Sequence, residues 1–165
     1  MTRKYEAPCG TLLLGSFGDR LCLCDWQTEK HRKRVDHRLC RLLDAEFEKG
    51  SSEVLDRTIN QLDEYFGGIR REFDIPLLFV GTEFQKKVWQ ALLAIPYGKT
   101  VSYGAMARWI GMPKAVRAVA NANGANSISI LAPCHRVIGS DHSLTGYGGG
   151  LPVKEYLLKL ESQNC

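Results

Sequence analysis

The chain has 165 residues, 44% hydrophobic and 24% charged, enough for one ordinary domain or two small ones packed together. No apolar run approaches the roughly 20 residues a membrane helix needs, and Met1-Thr2-Arg3-Lys4-Tyr5-Glu6 lacks a secretory core, so a soluble protein kept inside the cell is expected. The net charge of +4 comes from the second part: residues 1–78 hold 13 Lys+Arg against 14 Asp+Glu, residues 79–165 hold 9 against 4, and no carboxylate occurs between Glu83 and Asp141. A basic stretch without carboxylates points to a polyanionic partner, phosphate above all.

In chain order, Thr11–Phe17 and Leu21–Trp26 read as two strands joined by a Gly18-Asp19 hairpin turn. Cys22 and Cys24 are expected on one face of the second strand. Lys30-His31-Arg32-Lys33-Arg34 is followed closely by Asp36, Asp44, Glu46 and Glu48, which favours a solvated helix face over a nucleic-acid patch. Ser52 caps a helix with Leu55, Ile59, Leu62, Tyr65 and Phe66 at helical spacing, stopped by Gly67-Gly68.

Asp74–Gly81 is an extended link broken by Pro76, and the domain boundary is placed there, giving residues 1–78 and 79–165. Thr82 and Gln85 form a capping box for a helix burying Phe84, Val88, Leu92 and Ile95. Ser102 caps a short helix carrying Tyr103, Met106, Ala107 and Ile110, Gly111 ends it, and Pro113 stands at the first position of a third helix, 113–122. Two short helices across a glycine turn make a helix-turn-helix. The third helix offers only Lys114, Arg117 and Asn121 among alanines and valines, too few polar arms for an ordinary major-groove reader.

An apolar run, Ile128–Leu131, reads as a buried strand leading to Ala132-Pro133-Cys134-His135-Arg136-Val137-Ile138. Pro133 fixes its own φ and biases Ala132 towards extended geometry, so Cys134 emerges in one defined direction, as a nucleophile requires. The six cysteines, at 9, 22, 24, 40, 134 and 165, follow no disulfide spacing.

Pro-Cys-His-Arg-Val-Ile, with Asn126 before it and Tyr147-Gly148-Gly149-Gly150 after it, closely resembles the active-site signature of the O6-alkylguanine-DNA alkyltransferases. The likeness is specific from about Thr82 to Glu161 and loose before Leu78. It implies an α/β (α+β) fold, with a small N-terminal antiparallel sheet and helix domain, ribonuclease H-like, followed by a mainly helical winged helix-turn-helix-like domain. It implies a methylated-DNA–[protein]-cysteine S-methyltransferase that moves a methyl or other alkyl group from O6-alkylguanine in DNA, with O4-alkylthymine as a second substrate, onto its own Cys134 and then stops.

The roles carried over are Cys134 as nucleophile, His135 as base, Glu161 as its orienting carboxylate, Asn126 as the hinge and Tyr103 as proton donor to the leaving guanine. DNA contacts fall to Arg117, which would enter the base stack, and to Lys114, Asn123 and Ser140. The lesion pocket falls to Val137, Tyr147, Gly148 and Gly149. The partner implied is alkylated duplex DNA read in the minor groove by a monomer, with the target base flipped, no cofactor and no membrane, in the cytoplasm or, in a eukaryote, the nucleus. Some relatives carry an N-terminal zinc, for which Cys9, Cys22 or Cys24, Cys40 and His31 or His37 would have to serve. The absence of any Cys-x-x-Cys spacing favours core thiols instead.

The rivals are an alkyltransferase-like lesion binder, which lacks the cysteine, a winged-helix regulator, and a turnover cysteine hydrolase using Cys134 and His135.

Overall fold

The computed structural model describes residues 1–139, 147 and 149–164. Three strands, β1 (Thr2–Ala7), β2 (Gly10–Phe17) and β3 (Arg20–Trp26), form an antiparallel sheet in that order. The hairpin falls on Gly18-Asp19, with Gly18 at φ +62°, a conformation that glycine adopts without cost. β1 is an element that sequence patterning overlooks: Thr2 and Tyr5 are buried but Arg3, Lys4 and Glu6 are exposed, so the alternation breaks.

The expected common face for Cys22 and Cys24 is not found. Pairing runs Leu14 with Cys24 and Gly15 with Leu23, then slips to Ser16 with Leu21, leaving Cys22 as the extra residue of a bulge. Cys22 consequently packs with Leu23, Val35 and Leu39, while Cys24 turns into the main core with Leu21.

Helix α1 (Glu29–Leu43) covers that smaller cluster and α2 (Glu53–Phe66) packs on the sheet. The basic run on α1 is not a uniformly solvated face. Arg32 is buried, lies 3.3 Å from Asp25, and pairs with Asp36 one turn on, while Lys33 and Arg34 stay exposed. Ser52 caps α2, its Oγ accepting from the Leu55 N–H (3.4 Å), and Gly68 at φ +79° ends it.

β3 ties the two parts of the chain together. Near its start the extended link lies along it, with the Leu21 N–H donating to Pro76 and the Leu78 N–H to Leu21. Two residues before its end, the Cys24 N–H donates to Ser127 and the Ser129 N–H to the Cys24 carbonyl. Leu12, Leu14, Trp26 and Tyr65 from the first part therefore share one core with Trp89, Met106, Ile128 and Leu157 from the second.

Helix α3 (Glu83–Leu92) begins at the Thr82–Gln85 capping box; Phe84 is only half-buried, and Trp89 fills the core instead, its indole N–H donating to Ala122 (2.8 Å). β4 (Val101–Ser102) leads into α4 (Tyr103–Trp109), with the Ser102 hydroxyl accepting from the Ala105 N–H. Helix α5 (Val116–Gly124) starts three residues later than expected. Gly111 at φ +75° is followed by a turn closed by Ala115 on Met112, which takes Pro113 and Lys114 off the helix.

Ile128 makes only an isolated bridge to Cys24, not a strand. The chain then turns through Ile130 at φ +73°, where a β-branched residue is strained. Cys134–Arg136 form one 3₁₀ turn, β5 (Val137–Ile138) pairs in parallel with β4, and α6 (Leu151–Gln163) closes the fold. The architecture is mixed α/β: a small antiparallel sheet with helices, then a mainly helical part.

Candidate active site

The turn that carries Cys134 is held from beneath by two asparagines. Asn126 Nδ2 donates to the carbonyls of Ile128 (3.2 Å) and Ala132 (2.9 Å), and its Oδ1 accepts from the Ile128 N–H (3.0 Å). One buried amide thus supplies the hydrogen bonds that a regular element would give this bend, which is what keeps Ile130 in its strained conformation. Asn123, expected at the DNA surface, is instead 2% exposed with its Nδ2 donating to the Cys134 carbonyl (3.2 Å), because it lies on the inner side of α5.

Cys134 is 3% exposed. Burial pushes its thiol up to about 11 and the Asp25 carboxylate adds to that, while hydrogen bonds from Asn126 and Ser129 and the Lys154 ammonium act the other way. In this closed arrangement the sulfur is a protonated thiol at neutral pH.

His135 is fully buried. Its Nε2 donates to Glu161 Oε2 (2.6 Å), and its Nδ1 is buried with no hydrogen-bond partner among the described residues. Burial lowers the imidazole pKa, against the hydrogen bond and charge of Glu161, so the ring is neutral with one nitrogen free to take a proton.

Glu161 projects inward from α6 and is 1% exposed. Besides His135 it accepts from Arg136 Nε (2.8 Å) and Nη2 (3.0 Å), from Tyr65 Oη (2.7 Å) and from the Gly98 N–H (3.3 Å). Burial opposes its ionisation, but the hydrogen bonds and charges of His135 and Arg136 outweigh it and hold the carboxyl well below the usual range.

Three contributors were not expected from sequence. Arg136 neutralises Glu161 and also donates to the Ile95 carbonyl (2.7 Å); it sat inside the motif without a role. Tyr65 reaches the same carboxylate from α2. Lys154 is buried, donates to the Val137 carbonyl (2.7 Å) and sits 5.9 Å from the Tyr103 ring centroid; burial draws it down to about 8, against the pull of Cys134. The spacing Lys154, Leu157, Glu161 on one helix stripe could have revealed it.

Of the remaining expected residues, Tyr103 and Val137 are buried beside this cluster, while Lys114 and Arg117 are exposed on the helix-turn-helix. Tyr147 is half-buried and its Oη accepts from the Trp26 indole N–H (2.8 Å). Gly149 lies against Trp26, and a Cβ there would meet the ring at 2.5 Å. Ser140 and Gly148 lie outside the described residues. Cys9 and Cys40 are half-buried, and among the described residues no three His, Cys, Asp or Glu side chains come together as a metal-ligand set. Among those residues, too, no helix is long and apolar enough to cross a membrane.

Residues 1–79 match the family model described as 6-O-methylguanine DNA methyltransferase, ribonuclease-like domain, and residues 83–163 match its DNA binding domain. A methylated-DNA–protein-cysteine methyltransferase of Methanosarcina acetivorans is 46% identical over 157 residues, 95% of each chain. The crystal structure of the Mycobacterium tuberculosis O6-methylguanine methyltransferase superposes with a TM-score of 0.83 at 42% identity, covering 99% of this chain and 93% of that one. That of the same organism's OGT in complex with DNA gives 0.84 at 41%, covering 99% and 94%. The chain belongs to the 6-O-methylguanine DNA methyltransferase family.

Proposed function

We propose that this chain repairs O6-alkylguanine in DNA by one stoichiometric alkyl transfer to Cys134, the chemistry of a methylated-DNA–protein-cysteine methyltransferase, with O4-alkylthymine as a second substrate. The observation that carries this is the buried Glu161–His135 pair next in sequence to a buried Cys134, in which His135 is pinned through Nε2 and keeps Nδ1 for a proton.

The thiol proton passes to His135, directly or through one water, and the thiolate attacks the alkyl carbon. The S–C bond forms as the C–O bond breaks, and the electron pair leaves on guanine. Tyr103 donates a hydrogen bond or proton to the departing ring, and the proton taken from the thiol restores it. Glu161 stabilises the imidazolium that forms, and the Lys154 ammonium favours the thiolate over the thiol. A thioether offers no leaving group to water, so each chain acts once.

A base inside a duplex cannot reach a sulfur that is 3% exposed, so the nucleotide must be extruded at a cost of a few kcal/mol. The exposed face of α5 presents Val116, Arg117, Ala118 and Asn121, and this slim surface suits the minor groove, with Arg117 replacing the extruded base. The protein works as a monomer inside the cell, where its DNA is, with residues 79–165 carrying the chemistry and residues 1–78 supporting it.

Incubation with methyl-labelled DNA, followed by intact mass and peptide mapping, tests this. One methyl per chain, on Cys134 alone, is expected. Label on another cysteine, or repeated turnover as a hydrolase would show, overturns it.

A further inference from the structure

A cleft of about 800 Å³ separates α1 from α5. His31, Arg34 and Arg38 line one wall, Asn121 stands on the other, and Tyr147 contributes from beside the Gly149-Gly150 turn. No carboxylate is among its described lining residues, and the lining His31 pairs with Asp25 behind it (2.6 Å). The two arginines differ from their neighbour Arg32, which is occupied by Asp25 and Asp36. Arg34 is exposed and has no acidic partner among the described residues. Arg38 is half-buried and anchored, its Nη2 donating to the Ala125 carbonyl (2.8 Å) and its guanidinium 5.2 Å from the Trp89 ring centroid. Its Nε is buried without a hydrogen-bond partner among the described residues, and burial destabilises its charge.

A desolvated, anchored guanidinium beside an exposed one, in a nucleotide-sized cleft whose described lining holds no carboxylate, is complementary to phosphate. The cleft also adjoins Tyr147 and the second half of the helix that carries Arg117. We propose that it seats backbone phosphate of the DNA strand bearing the lesion, so that α1, in the N-terminal part of the chain, extends the footprint of the helix-turn-helix. This rests on the function proposed above. It gives the first 78 residues a part in holding DNA, beyond supporting the site.

The test compares Arg34→Ala with Arg20→Ala, an exposed arginine at the far end of β3 that removes the same charge. Binding of undamaged duplex is measured across a salt series, and single-turnover transfer is measured from duplex O6-methylguanine and from free O6-benzylguanine. For Arg34→Ala the slope of log affinity against log salt should fall by about 0.9, one phosphate contact, and the ratio of duplex to free-base rates should drop several-fold. Arg20→Ala should keep the wild-type slope and ratio. A wild-type slope in Arg34→Ala, or equal losses in both variants, overturns the phosphate seat while methyl transfer to Cys134 still stands. Wild-type protein that binds no duplex overturns the seat and the function together.

Discussion

The Trp26 indole N–H donates to the Tyr147 hydroxyl at 2.8 Å, joining residues 121 positions apart across the sheet and the glycine segment. The same indole explains Gly149. A Cβ at that position would lie 2.5 Å from Trp26 Cδ1 and 2.7 Å from Cγ, closer than side chains approach. The space that a side chain at position 149 would need is taken by Trp26.

Gly149→Ala should therefore destabilise the protein by about 1–3 kcal/mol through overpacking. In a Trp26→Ala background the same change should cost much less, because the clashing ring is gone. Urea unfolding of the four proteins of this cycle decides it. Strictly additive losses would mean that Gly149 is constrained by something other than Trp26.

What was legible in the sequence was local. Ser52, Thr82 with Gln85, and Ser102 each bond backbone within three residues of themselves, so their pattern and their structure coincide. The motif at Cys134 was equally plain. Tyr65 and Trp26 were not, since each meets its partner across 96 or 121 residues and nothing in its own neighbourhood marks it. The Cys22 bulge and the positive φ of Ile130 arise from pairing and from the Asn126 brace, which no periodicity encodes. Asn123 is assigned to DNA by the resemblance alone, one residue past the helix read as 113–122; α5 continues to Gly124 and turns Asn123 inward.

Glu161→Gln should cost about 3–5 kcal/mol, since it leaves the buried Arg136 guanidinium without its counter-charge. Transfer should slow as well, because the His135 imidazolium loses its stabilising partner. The folded carboxyl titrates below its unfolded value, so its contribution is present above about pH 4.5 and is lost as pH falls through the folded value. The difference in Tm between wild type and Glu161→Gln should accordingly be largest near neutrality and shrink in acid. A difference independent of pH would show that the charge of Glu161 is not what stabilises the site.

Cys134→Ala should abolish transfer and keep duplex binding, and its pH profile adds a second check. The folded thiol is pushed up to about 11 from an ordinary value of 9.0, so the folded state binds the proton more tightly. Stability from this group is full below pH 9 and declines as pH rises towards 11. Without the thiol, Cys134→Ala should lose less stability over that interval than wild type, with the other buried cysteines common to both. Parallel Tm curves between pH 9 and 11 would mean that Cys134 is more open to water than its 3% exposure indicates.

Arg117 stands on the first turn of α5, exposed, with no acidic partner among the described residues, flanked by Val116 and Ala118. An arginine in that setting has reach and a flat guanidinium, and its small neighbours let the helix approach a narrow groove. Its proposed task is to fill the stack left by the extruded base, a task that exists only in duplex DNA. Arg117→Ala should thus slow transfer from duplex O6-methylguanine by ten-fold or more, about 1.4 kcal/mol or above in the barrier. The rate with free O6-benzylguanine should change far less. Loss of stability is not expected, because the residue is exposed. A lesion opposite an abasic site, where the duplex is already loosened, should recover part of the lost rate. Equal slowing on duplex and free base would place Arg117 in the chemistry or the fold rather than in extrusion, and full activity on duplex would remove it from the mechanism.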